Sequence, residues 1–274
     1  MPDSDTPPTA LTIAGSDSGG GAGVQADLKT FAAHGVHGTS ALTAVTAQNT
    51  TEVRGVVALD ASFVRLQIET VLDDFAVGGV KTGMLANAAV VTEVAKLAAS
   101  SALPSLVVDP VLVTSTGHSL LEPAGVAAYL ELLLPHALVA TPNLREAAVL
   151  AGVRVEDIRT VEAMAAVAER LRTSTRACYV VVKGGHLTGS AEDVVAGPTG
   201  TTVLPGTRVT TGNDHGTGCS LSAAVTANLA RGLAVDVAIA SAKAYVARAL
   251  AGAAAWRLGA GHGPVDHFGW SGAP

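Results

Sequence analysis

Six short apolar runs, each ending in polar residues, constrain what this chain can fold into more than any other feature of it. The runs fall at residues 11–14, 40–47, 76–80, 106–108, 137–140 and 179–182, and they are built mainly from Val, Leu, Ile and Ala. Helical spacing of apolar residues separates several of them, with Val24, Leu28 and Phe31 on one stripe and further helical patterns at 63–72 and 90–98. Apolar strands alternating with helices specify a mostly parallel sheet covered on both faces. In such sheets ligands sit beyond the carboxyl ends of the strands. Asp17, Gln48, Lys81, Asp109, Glu146 and Lys183 follow the ends of six different runs, so one shared crevice is expected there. Residues 188–207, rich in Gly, Pro and Thr, are expected to form a hairpin excursion.

A second stretch supplies the chemistry. Thr210-Thr211-Gly212-Asn213-Asp214-His215-Gly216-Thr217-Gly218-Cys219-Ser220-Leu221 runs directly into an Ala-rich segment that stops at Arg231-Gly232. Gly216 and Gly218 leave room for backbone N–H groups to turn inward, and Gly232 stands where a helix stop belongs. The unpaired amides of a first helical turn and the positive end of its dipole suit an anion such as phosphate. Cys219 sits at that helix start, where the dipole is expected to pull its pKa below about 8.5.

Other readings of these residues are weaker. The glycine cluster at 19–23 lacks the Lys-Ser/Thr of a Walker A loop, and a dinucleotide fingerprint counted from Gly19 meets Val24 where it needs glycine. Asp17-Ser18-Gly19-Gly20 is similar to a trypsin-like nucleophile stretch, but that fold is all-β. Singly, each strand-end residue also has a plain structural account: Asp109 as a turn former before Pro110, Glu146 as a first-turn helix residue, Lys183 as a solvated lysine and Gln48 as a loop amide. Together, Asp109 and Glu146 are the oxygen donors Mg²⁺ takes, Lys183 can reach a nucleotide phosphate, and Gln48 offers both a donor and an acceptor to a heterocycle edge. His186 and His215 stand near the expected site and receive no role.

The net charge of −6 and the absence of a basic run exclude a nucleic-acid backbone as partner, so any phosphate must be held locally. Cys178 and Cys219 make no disulfide framework and no zinc spacing, which fits a reducing cytoplasm. The segment 233–256 is strongly apolar, but Asp236, Lys243 and Arg248 interrupt it too often for a bilayer span, so a buried helix and no membrane partner are expected. Residues 1–9 are polar and Pro-rich and are expected to form a disordered tail before a single domain at 10–274.

The motifs Ala14-Gly15-Ser16-Asp17-Ser18-Gly19-Gly20-Gly21-Ala22-Gly23-Val24-Gln25-Ala26-Asp27, Ala47-Gln48-Asn49-Thr50, Lys81-Thr82-Gly83-Met84-Leu85, Asp109-Pro110-Val111, Thr141-Pro142-Asn143-Leu144-Arg145-Glu146-Ala147, Lys183-Gly184-Gly185-His186 and His215-Gly216-Thr217-Gly218-Cys219 occur in this order, followed by a tail at 261–268. The combination resembles the hydroxymethylpyrimidine/phosphomethylpyrimidine kinases of thiamine biosynthesis, members of the ribokinase superfamily, over residues 10–268. The resemblance implies a three-layer α/β/α sandwich with a mostly parallel central sheet. It further implies ATP with Mg²⁺, a monovalent cation as a further candidate, a homodimer, and phosphorylation of 4-amino-5-hydroxymethyl-2-methylpyrimidine and then of its monophosphate.

By the same resemblance Gln48, Gly15, Asp27, Met84 and Val111 line the pyrimidine pocket, and Lys183, Asp109 and Thr217 serve the nucleotide. Glu146, Asp109 and Asn143 serve the metal, and Cys219, Gly216 and Gly218 form the catalytic anion hole. Cys219 replaces the catalytic aspartate of most ribokinase relatives, a pattern of the pyrimidine kinases and of a related group of pyridoxal kinases. A pyridoxal kinase and a non-catalytic ligand-binding relative are the alternatives. Ser18 departs from a frequent proline and Asp214 from a frequent threonine, and the Asp214 side chain is expected to point outward.

Overall fold

Strand β1 (Thr9–Ser16) is buried along nearly its whole length because it pairs in parallel on both sides, with β2 (His37–Gln48) and with β4 (Val77–Thr82). That double coverage is why its sequence reads as a continuous apolar run rather than an alternating one. The computed structural model describes residues 6–112, 121–185, 187, 189 and 191–272. In chain order the remaining elements are α1 (Gly23–Ala33), β3 (Val53–Ala58), α2 (Ala61–Asp74), α3 (Ala88–Ala99), β5 (Val107–Val108), α4 (Pro123–Ala128), β6 (Val139–Ala140), α5 (Leu144–Ala151), α6 (Val161–Thr175), β7 (Tyr179–Val182), β8 (Asp193–Gly197), β9 (Gly200–Leu204), α7 (Thr217–Ala230) and α8 (Val235–Ala253). A π turn and a 3₁₀ turn follow α4, and another 3₁₀ turn links α5 to α6.

The strands form one sheet in the order β3-β2-β1-β4-β5-β6-β7-β8-β9. Its six central strands are parallel, so their carboxyl ends share one rim. The edges are antiparallel. β3 pairs back on β2, and the expected 188–207 hairpin extends the sheet as β8 and β9. Sequence periodicity gives no sign of β3, because every one of its residues is exposed and only the extension of β2 past the body of the sheet gives it a partner.

Helices α2 to α6 cover one face around a large core that includes Ile68, Val94, Tyr129, Leu144 and Met164. Helices α1, α7 and α8 cover the other face, with Leu221, Val225, Ile239 and Tyr245 in one cluster and Phe31, Ala223 and Ala227 in another. The result is three layers. α7 lies directly on the sheet because Gly78 and Gly79 of β4 present no side chain to it: a Cβ at Gly79 would lie 2.9 Å from the Thr226 carbonyl oxygen. This close seating aims the start of α7 at the rim. The 233–256 segment contains α8, which buries Ala238, Ile239, Ala242 and Val246, and no helix among the described residues is long and apolar enough to cross a membrane.

The tail boundary needs correction. Pro8 accepts a hydrogen bond from the His37 amide (2.8 Å) and β1 begins at Thr9, so residue 9 belongs to the sheet and residue 8 is tied to it. Residues 1–5 lie outside the described residues.

Candidate active site

The glycine run after β1 is organised by one carboxylate. Asp17 accepts from the amides of Gly19 (2.8 Å), Gly21 (3.1 Å) and Ala22 (2.9 Å) and from His215 Nε2 (2.8 Å). Burial alone would raise its pKa, but the His215 bond and the Ala22 and Gly19 amides outweigh it and hold the carboxyl below the usual range. The folded loop then presses against the α7 entrance. Gly216 adopts φ +81°, and a Cβ there would overlap the Gly21 carbonyl oxygen, so both its dihedral and its surroundings require glycine.

At the start of α7 the first intrahelical bond runs from the Ser220 amide to Gly216 O (2.8 Å). The Gly218 and Cys219 amides precede it and have no acceptor within the helix. Thr217 turns back, its hydroxyl donating to Asp214 O at 2.6 Å. Gly218 sits close to two charged groups: its missing Cβ would stand 3.2 Å from Lys183 Nζ and 4.0 Å from Asp109 Oδ2. The helix start and the amino group of Lys183 therefore face the same small volume.

Lys183 donates to Asp109 Oδ1 (2.9 Å), which also takes Thr141 Oγ1 (3.3 Å), while Ser222 of α7 donates to Asp109 Oδ2 (3.2 Å). Asp109 is nearly fully buried; desolvation would raise its pKa, but Lys183 and Lys81 pull it below the ordinary range. Glu146 behaves oppositely. Desolvation and Asp109 push it up to about 7 against the pull of Lys183 and of the Asn143 and Leu112 amides. It also forms a capping box at α5: the Asn143 amide donates to Glu146 Oε2 (2.8 Å), and the Glu146 amide donates to Asn143 Oδ1 (3.0 Å). The structural account of Glu146 thus holds alongside any ligand role.

For Mg²⁺ the fit is a partial cage. The donors are all oxygen, and two buried carboxylates that repel one another would be relieved by a cation. Among the described residues, no group of three or more His, Cys, Asp or Glu could hold a metal alone. That suits an ion that keeps its waters and is shared with substrate phosphates. Asp109, Glu146 and Asn143 are the side chains that would hold it.

Two expectations change. Lys81 does not follow its strand; it lies within β4, fully buried, with its amino group 2.8 Å from both Asp27 carboxylate oxygens, one of which also accepts from Thr12 Oγ1 (2.6 Å). Asp27 is therefore the fully buried partner of Lys81. The Cys219 thiol, expected below the ordinary range, is pushed up to about 11. Desolvation dominates, Asp27 and Asp109 add to it, and Lys81 and the Gly23 amide oppose it without prevailing. The helix start brings the sulfur next to buried carboxylates, which no local spacing reveals.

Met84 rests on Gly15, where a Cβ would overlap its terminal methyl, and the Met84 carbonyl accepts from Thr43 Oγ1 (2.6 Å). The Gln48 carboxamide lies 3.4 Å from His215 Nε2 and 3.4 Å from Thr46 Oγ1. The Val111 amide donates to Asp109 O, two residues back, at 2.9 Å. Asp214 points outward, more than half exposed, and meets His262 Nδ1 at 2.7 Å. His186 lies outside the described residues. Sequence reading gave His215 no role, and its partner Asp17 lies 198 positions away, so only the fold reveals the pair.

Two cavities, of about 380 and 300 Å³, open beside this constellation. The larger is lined from α8 and the C-terminal segment, the smaller from the C-terminal segment with Gly19, Lys29 and Thr50, and neither is lined by Cys219, Asp109 or Gln48. The site is therefore defined by its contacts: α7 touches Asp109 through Ser222, and the loop leading into it approaches Gln48 through His215.

A sequence model of the phosphomethylpyrimidine kinase family matches residues 17–266. A hydroxymethylpyrimidine/phosphomethylpyrimidine kinase of Streptomyces coelicolor is 48% identical over 266 residues, which cover 97% of this chain and 96% of that protein. Among solved structures, an ADP complex of Bacillus subtilis pyridoxal kinase superposes with a TM-score of 0.86 at 37% identity, covering 96% of this chain and 98% of that one. A phosphomethylpyrimidine kinase from Clostridium difficile gives a TM-score of 0.76 at 38% identity over 87% of this chain and 97% of its own. With a family model matching residues 17–266 and a relative 48% identical over nearly the whole of both chains, this chain belongs to the phosphomethylpyrimidine kinase family.

Proposed function

We propose that the protein transfers the terminal phosphoryl group of ATP to the hydroxymethyl group of 4-amino-5-hydroxymethyl-2-methylpyrimidine, and then phosphorylates the resulting monophosphate, in thiamine biosynthesis. The observation that carries this reading is the position of the α7 start, with Lys183 and Asp109 against Gly218 on one flank and His215 and Gln48 on the other. Phosphoryl transfer needs alignment and charge neutralisation more than covalent chemistry. The amides of Gly218 and Cys219 face the charge that develops on the transferred group, and Lys183 counters the polyphosphate. A bound Mg²⁺ supplies further charge neutralisation on the phosphate oxygens. Gln48 orients the heterocycle, and Cys219 stands at the acceptor hydroxyl as the candidate catalytic side chain.

The second reading is a pyridoxal kinase, favoured by the close superposition on the Bacillus subtilis enzyme. A side-by-side assay with both alcohols and ATP decides between them. The expected result is a higher kcat/KM for the pyrimidine, with Gln48→Ala raising the pyrimidine KM and leaving the ATP KM nearly unchanged. Turnover of pyridoxal alone would overturn the first reading, and turnover of neither would favour a non-catalytic relative. Gel filtration of the same preparation tests the proposed homodimer.

A further inference from the structure

Asp17, His215 and Gln48 form a polar chain that the phosphoryl chemistry does not use. His215 Nε2 lies 2.8 Å from Asp17 Oδ2 and 3.4 Å from Gln48 Nε2. One ring nitrogen either carries a hydrogen or offers a lone pair, never both. Asp17 is an ionised acceptor that already takes three loop amides, so the nitrogen facing it bears the hydrogen. It then has no lone pair for a Gln48 NH₂. The same conflict recurs at the other end of the carboxamide. Thr46 Oγ1 is 3.4 Å from Gln48 Oε1, yet its single hydrogen is given to Ser16 O at 2.7 Å.

Turning the carboxamide over resolves both conflicts at once. Gln48 Oε1 then accepts a share of the His215 N–H, and its NH₂ donates to the lone pair of Thr46. We infer that His215, held by Asp17, and Thr46, held by the Ser16 carbonyl, together fix the orientation of the Gln48 carboxamide, making His215 a positioning residue for acceptor specificity. The imidazole is packed closely: a Cβ at Gly21 would meet its Cδ2 at 2.5 Å and Pro264 Cβ at 3.4 Å, and the His215 amide donates to Gly263 O at 3.1 Å.

In this orientation Gln48 has one oxygen lone pair and one N–H remaining, side by side. That pattern complements a ring edge carrying an amino donor next to a ring-nitrogen acceptor, the edge of an aminopyrimidine, so the inference rests on the acceptor proposed above. An edge with a carbonyl in place of the amino group would set oxygen against oxygen.

The test uses the full-length protein with ATP, the 4-amino pyrimidine alcohol and its 4-oxo analogue. His215→Ala is expected to raise the KM of the amino substrate about tenfold and to erode amino-over-oxo discrimination by a similar factor, the loss of one oriented hydrogen bond. The ATP KM should change less than about twofold on the same scale of effects. His215→Gln, whose side-chain NH₂ can donate to both Asp17 and Gln48, should recover most of the discrimination. Thr46→Val keeps the shape and should lose part of it.

Equal changes in the ATP and pyrimidine constants of His215→Ala would overturn the inference, because they would mark His215 as mere support for the anion loop. If a thermal melt shows that His215→Ala does not fold, Thr46→Val decides, and unchanged discrimination there overturns it. A wild-type protein inert toward both alcohols would overturn the acceptor reading and this inference with it. Wild-type activity with the amino alcohol and an unshifted ratio in every variant would overturn the inference alone.

Discussion

Replacing Asp27 with leucine leaves the Lys81 ammonium fully buried with neither of its carboxylate contacts, both 2.8 Å long. Burial alone would lower the Lys81 pKa, but Asp27, with Cys219 and Asp109, raises it, so the cation is the form this interior is built for. Removing one partner of a buried ion pair costs about 3–5 kcal/mol. Thr12 Oγ1 also loses its 2.6 Å acceptor, adding about 1–3 kcal/mol for an unmade buried bond. Against a total stability of about 5–15 kcal/mol, the single variant should be marginal. At roughly 2–4 °C per kcal/mol for a domain of this size class, Tm should fall by at least about 10 °C.

The triple variant Thr12→Val, Asp27→Leu, Lys81→Met replaces the whole cluster with apolar groups of similar volume. Such replacements are often neutral or stabilising, so its stability should return to within about 1 kcal/mol of the wild type. Urea unfolding followed by circular dichroism, with matched thermal melts, measures both. The recovered fold should still turn over slowly, because Lys81 is the cation that opposes the carboxylates around Cys219. An Asp27→Leu cost below about 1 kcal/mol would refute a stranded charge. A triple variant as unstable as the single would refute the electrostatic account in favour of shape.

Three further outcomes are expected. Gly216→Ala places a methyl on the Gly21 carbonyl at φ +81°, so kcat should fall by at least about 100-fold, and a near-wild-type kcat would contradict the assigned loop geometry. Cys219→Ala tests a base role: with the thiol pushed up to about 11 it is protonated at neutral pH, so phosphorylation of the alcohol and of the monophosphate should fall by similar factors, and a loss confined to the alcohol would refute that reasoning. His267, whose Nε2 lies 3.1 Å from Ser220 Oγ, is held neutral by burial, its pKa lowered from 6.5 to about 4. With a depressed folded pKa, its contribution is complete above pH 6.5 and is lost as the unfolded chain takes up the proton between pH 6.5 and 4. The loss is at most ~3 kcal/mol, and urea titrations of His267→Gln should show a flatter pH dependence across that window.

The layered α/β architecture was legible in the chain because burial on both faces of parallel strands writes continuous apolar runs, and each run located its strand within a few residues. The start of α7 was legible for a similar reason: glycines, a following helix pattern and a stop at Gly232 are all local. β3 was not legible, since an exposed edge strand owes its existence to hydrogen bonds from β2 rather than to any pattern of its own. Nor was the fate of individual charges. Lys81 looked like a strand-end residue but pairs with Asp27, 54 positions away, and His215 meets Asp17 across 198. The Cys219 thiol shifts opposite to the direction its helix position implies, because desolvation and two carboxylates delivered by other elements outweigh the local field. Sequence fixes what is written by neighbours along the chain, periodicity and turn chemistry. Electrostatics depends on distance in space and on exclusion of water, and both exist only once the sheet has brought its strand ends together.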